Sequence, residues 1–87
     1  MTVYATEREL AGISMEDLGA AQQGAIATAA QMRANGAEIT YLRSIFRPED
    51  GKCTCMFEAE SADQVRQLND TAGLPYERVV EALDLTP

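Results

Sequence analysis

Two cysteines, Cys53 and Cys55, stand one residue apart in the stretch GKCTCMFEAE, and the chain contains no others. Alternate residues of a strand point to the same face, so a Cys-x-Cys pair in extended chain presents its thiols side by side. That arrangement offers three kinds of chemistry. It is half of a soft-metal site, a reactive thiol pair, or two small apolar fillers of a core. No histidine is present, which removes the commonest metal ligand and the usual general base. Two thiolates need two further ligands, so a metal here would draw on carboxylates or on a second chain. A reactive thiol would need its pKa lowered by Arg43 or Lys52.

The carboxylates are the other candidates. Glu7, Glu9, Glu58 and Glu81 fall in segments of strand composition, where Glu is disfavoured. Converging carboxylates bind a hard or borderline cation or act as an acid/base pair. The alternative is that they are solvated or paired with Arg8, Arg43 and Arg78. The sequence has no Gly-rich phosphate loop, no Ser-His-Asp set and no zinc-ligand spacing, so no organic cofactor is indicated.

These residues are positioned by six predicted elements. TVYATERE, from Thr2 to Glu9, reads as a strand. Ser14 is an N-cap with Asp17 three residues later, opening a helix that ends at Asn35-Gly36. Met15, Leu18, Ala21, Ala25, Ala29 and Met32 recur along it at spacings of three and four. Its surface is rich in Gly and Ala, which allows close packing on a sheet or leaves room for a ligand or a neighbouring helix. EITYLRSIF (Glu38 to Phe46) and CTCMFEA (Cys53 to Ala59) flank the turn RPEDGK and form a hairpin. Ser61 and Gln64 make a capping box for a second helix that Gly73 and Pro75 terminate. Tyr76 to Leu85 is read as a last strand, with Pro75 and Val79-Val80 weighing against a short helix.

The order β-α-β-β-α-β is the split βαβ arrangement of the ferredoxin-like α+β fold. It implies a four-stranded antiparallel sheet with both helices on one face. If Arg47 pairs with Lys52, Ser44 faces Cys55 and Phe46 faces Cys53. Strict alternation then puts Leu42, Phe46, Cys53, Cys55 and Phe57 against the helices. It puts Tyr41, Arg43, Ile45, Thr54, Met56 and Glu58 on the open face, with Glu81 in phase with them. A one-residue slip would exchange the two sets.

At 87 residues the chain is one domain, 1–87, with a thin core. A thin core and an uncovered sheet face predict a homodimer through that face, as an α/β sandwich or barrel. The net charge of −7 opposes binding to nucleic acid. There is no basic cluster for anionic lipid and no apolar run of the roughly 20 residues a membrane span needs. Two cysteines are too few for a disulfide scaffold, and the N-terminus lacks a signal-peptide core, so a cytoplasmic location is expected.

Several motifs resemble a family of small, mostly uncharacterised ferredoxin-like proteins that includes a nickel-binding member. They are ERE in the first strand, ITYLRS with Tyr41 before Ser44, GKCTCMFEAESADQV with Cys55 three residues past Lys52, and AGLPYERVVEAL with Gly73-x-Pro75. The resemblance runs over nearly the full length. It implies the ferredoxin-like fold, a dimer through the sheet face and nickel as a ligand. Members often carry a His in the second helix, where this chain has Leu68-Asn69-Asp70. A site here would therefore use Glu, Asp, Cys or backbone groups.

Two functions follow as expectations. The first is a small binding protein for nickel or another divalent metal, with Glu7, Cys55, Glu58 and Glu81 as donors. The second is a cofactor-free enzyme of monooxygenase, cyclase or isomerase type. Tyr41, Arg43 and Glu58 would then act on a small organic substrate in a sheet-face cavity. A purely structural or regulatory interaction module is a third.

Overall fold

The computed structural model describes all residues from Met1 to Pro87. Its elements are β1 (Thr2–Glu9), α1 (Met15–Ala34), β2 (Ile39–Arg47), β3 (Lys52–Ala59), α2 (Ala62–Ala72) and β4 (Arg78–Ala82). The strands form one sheet in the order β2-β3-β1-β4, antiparallel at every pairing. This is the ferredoxin-like topology, with α1 and α2 packed on the same face.

The caps act where the sequence places them. Ser14 Oγ accepts the Asp17 N–H at 3.0 Å, and Ser61 Oγ accepts the Gln64 N–H at 3.2 Å. Gln64 does not close a full capping box. Its Oε1 accepts from Glu60 N at 3.0 Å, one residue further out than the reciprocal bond requires. α2 ends at Gly73 (φ 70°), whose left-handed backbone lets the Leu74 N–H reach the Asn69 carbonyl at 2.9 Å.

The core is narrow. Phe57, Ile39, Leu68 and Val65 are its largest fully buried apolar side chains, joined by Ala25, Ala29 and Ala59. Losing a buried Phe such as Phe57 costs about 3–5 kcal/mol, a large share of a small domain's stability. Asn69 is also fully buried. Its Nδ2 donates to Val65 O at 2.9 Å and to Thr6 Oγ1 at 3.4 Å, tying α2 to β1.

The hairpin register is the expected one, with Arg47 opposite Lys52, Phe46 opposite Cys53 and Ser44 opposite Cys55. The alternation expected beyond it fails at Leu42. A bulge there brings Tyr41, not Leu42, opposite Phe57. One extra residue in an antiparallel pair reverses the facing of everything beyond it. Tyr41 therefore lies on the helix-covered face, where its ring meets Phe57 edge-on with centroids 5.5 Å apart. β4 is also shorter than expected, ending at Ala82. The segment after it turns back, and an ion pair between Arg43 and Asp84 ties it to β2 at the opposite edge of the sheet.

Candidate functional site

The first half of α1 does not seal against the sheet. Between its N-terminal turns and the hairpin end of the strands lies a cavity of about 210 Å³. Leu18, Ala21 and Ala25 form its roof, and Phe46, Cys53 and Cys55 form its floor. Met15, one of the expected core positions of α1, is 75% exposed at this end of the helix. Gly19 also borders the cavity, and a Cβ added there would meet nothing within 4 Å. The small residues of α1 thus leave room in its first half, while Ala25 and Ala29 pack closely further along.

A hydrogen-bonded chain crosses the floor. Gln22 Nε2 donates to the Tyr41 hydroxyl at 3.1 Å, and that hydroxyl lies 2.6 Å from Ser44 Oγ. Ser44 Oγ donates to Cys55 Sγ at 2.8 Å, and Cys55 Sγ is 3.9 Å from Cys53 Sγ. Since Ser44 spends its one proton on Cys55, the Tyr41 hydroxyl must donate to Ser44. Both thiols are free and buried. Burial, with the neighbouring Cys55, pushes the Cys53 thiol up to about 11, against a smaller opposing effect of Arg8. Cys53 is therefore a neutral thiol at pH 7.

Arg8 closes the far end. It is directly opposite Cys53 on β1, only 4% exposed, and lines the same cavity. Its Nη1 donates to the Pro75 carbonyl at 3.1 Å, while Nη2 is buried without an acceptor.

The other expected site residues are dispersed. Glu7 and Glu58 are both on the open face, in phase with Arg78 and Val3. Glu58 pairs with Val3, four residues from Glu7, so the two carboxylates are about 13 Å apart along the sheet. Glu7 is held by Arg78, whose hydrogen bond keeps its carboxyl below the usual range. Glu81 pairs with Tyr4 and so points to the helix-covered side, not to the open face expected of it. Cys55 is on that side too, two strands away from β4. No three Cys, Asp or Glu side chains of the chain come together to hold a metal.

The sheet also divides Tyr41, Arg43 and Glu58. Tyr41 faces α1, whereas Arg43 and Glu58 face outward, Arg43 being paired with Asp84. The bulge that separates them carries no signal in strand composition. Arg8 and Gln22 were not among the expected site residues, and only the burial of Arg8 marks it. No helix is long and apolar enough to cross a membrane.

Fold and site together define a small ferredoxin-like α+β protein with a thiol-floored cavity between its first helix and the sheet. Residues 4–82 match the family model described as nickel responsive protein SCO4226-like, and the chain belongs to that family. Its structure is similar to the crystal structure of SCO4226 from Streptomyces coelicolor A3(2), with a TM-score of 0.79 at 20% sequence identity. That match covers 98% of this chain and 99% of the other. No curated protein matches the sequence.

Proposed function

We propose that this protein is a small metal-binding protein for nickel or another divalent ion, with Cys53 and Cys55 as its donors within the protomer. The observation that carries this reading is the 3.9 Å between the two sulfurs on the cavity floor. Two thiolates about 2.3 Å from one tetrahedral ion stand roughly 3.8 Å apart. The family description, nickel responsive, supports the same ligand class. The donor set fits half of a four-coordinate shell. The remaining positions would fall to water or to groups brought by a second copy.

The reading includes a homodimer through the open sheet face. Ile45, on that face, is 60% exposed, and Leu83 and Leu85 in the segment after β4 are 79% and 85% exposed. Carboxylates such as Glu58 would meet their counterparts across such an interface. A reducing, cytoplasmic setting keeps the thiols available to metal.

The test is calorimetric titration of the tag-free, reduced protein with Ni²⁺, Co²⁺ and Zn²⁺. Cys53→Ser, Cys55→Ser and Glu58→Gln are compared with the parent, and sedimentation is run on each and on Ile45→Glu. Binding lost in both cysteine variants supports the thiol site. Binding lost only in Glu58→Gln moves the metal to the open face. No binding in the parent retires the metal reading. Ile45→Glu is expected to sediment as a monomer.

A further inference from the structure

Seven basic side chains share this chain with 14 acidic ones, so every cation has carboxylates to choose from. Five of the seven, Arg43, Arg47, Lys52, Arg66 and Arg78, take one as an ion-pair partner at the surface. Arg33 instead donates to the Ile39 carbonyl at 2.8 Å. Arg8 is the most buried of them, makes no ion pair, and leaves Nη2 with no acceptor. A buried guanidinium without a counter-ion is costly, and proteins pair such charges or neutralise them with a ligand.

The rest of the cavity has little hydrogen-bonding capacity to offer. The hydroxyls of Tyr41 and Ser44 spend their protons along the floor, and the roof is Leu18, Ala21 and Ala25. What remains is the buried Arg8 guanidinium, with the Gln22 amide at the exposed side, beside an apolar space. At the packing density of protein interiors, 210 Å³ holds roughly ten non-hydrogen atoms.

We infer that this cavity binds a small organic monocarboxylate with an apolar or aromatic body, its carboxylate on Arg8 and its body beneath α1 against Leu18, Ala21 and Phe46. The anion supplies the charge that Arg8 lacks. The body fills the space left by Gly19 and the alanines. The carboxylate site shares the floor of Cys53 and Cys55 with the metal reading but does not rest on it, since its key group is Arg8 and it requires no thiolate.

The test is an NMR titration of the reduced protein in the presence of a chelator, so that a negative result leaves the metal reading untouched. Benzoate and hexanoate are the probes, and benzamide and hexanamide are their neutral counterparts. Saturable shifts are expected at the amides of Gly19, Gln22 and Ser44. Each amide should bind about tenfold more weakly than its acid, or worse, which is the value of one charge-assisted hydrogen bond. Arg8→Met should reduce the acids to the affinity of the amides. Gly19→Leu should block all four probes while keeping the parent's spectrum elsewhere. The inference is overturned if neither acid saturates, if acids and amides bind alike, or if binding survives in Gly19→Leu.

Discussion

Tyr41 and Ser44 are three residues apart on one strand, yet their hydroxyls meet at 2.6 Å on the same face of the sheet. The bulge at Leu42 makes this possible, since residues three apart on a regular strand point to opposite sides. The contact links Gln22 on α1 to Cys55 on β3 through two hydroxyls, and so couples the helix to the thiol pair.

Tyr41→Phe tests that link. The ring keeps its edge-on contact with Phe57, and only the hydroxyl is lost. A cost of about 1 kcal/mol in urea denaturation is expected, because Ser44 loses a partner in a half-buried place, while Gln22 is exposed and turns to water. Tyr41→Ala also removes the ring and should cost about 3 kcal/mol. A Phe variant as stable as the parent would mean that water replaces the hydroxyl at no cost.

Alkaline pH should weaken the fold through Cys53. Its thiol ionises near 9.0 in the unfolded chain and near 11 in the folded one, because burial disfavours the thiolate. Between those values the unfolded state has released the proton and the folded state has not, so stability falls as pH rises. The contribution is complete below about pH 9 and lost above about pH 11. The urea midpoint of the parent should fall more steeply across that window than that of Cys53→Ala. Parallel profiles would show that the thiol is solvated. A metal held by the pair must displace the protons, so its affinity should rise with pH, by up to about tenfold per unit for each thiol.

Gly51→Ala should be among the most damaging single changes in the hairpin turn, because Gly51 is buried there. Gly51 sits at φ +73°, and an added Cβ would stand 2.4 Å from the Ala11 backbone Cα. The crowding is backbone against backbone, because Leu10 N donates to the Gly51 carbonyl at 2.7 Å. Strain and steric displacement together should cost more than about 2 kcal/mol. Gly19→Ala is the control. Its backbone is helical and its Cβ meets open space, so a gain of up to about 1 kcal/mol is expected when both variants are compared with the parent by thermal denaturation.

Arg8→Met should leave the ligand-free protein as stable as the parent or more so. The change removes a buried charge that has no carboxylate partner and keeps an apolar stem of similar length. A loss of about 3–5 kcal/mol would instead show that Arg8 is fully compensated in solution, since that is the cost of breaking a buried pair. Denaturation of both proteins in low salt separates the two outcomes.

The order of elements was written in local chemistry. Ser14 and Ser61 open their helices because a hydroxyl satisfies a free backbone N–H within the same turn. The turn from Pro48 to Gly51 fixes the hairpin register because it joins strands adjacent in sequence. That register groups Cys53 and Cys55 with Phe46 and Phe57 on one apolar face, the face that the helices cover. The tertiary structure decided the rest of the site. The bulge at Leu42 moved Tyr41 to the helix side, which strict alternation has no means to show. The burial of Arg8 depends on Pro75 and the roof of α1, both remote in sequence, although Arg8 itself reads as an ordinary charged strand residue. The separation of Glu7, Glu58 and Glu81 follows from strand pairing over long sequence distances. Local patterns are set by groups a few residues apart. A cavity is set by how far two whole surfaces fail to meet, and that is fixed only when α1 comes to rest on the sheet.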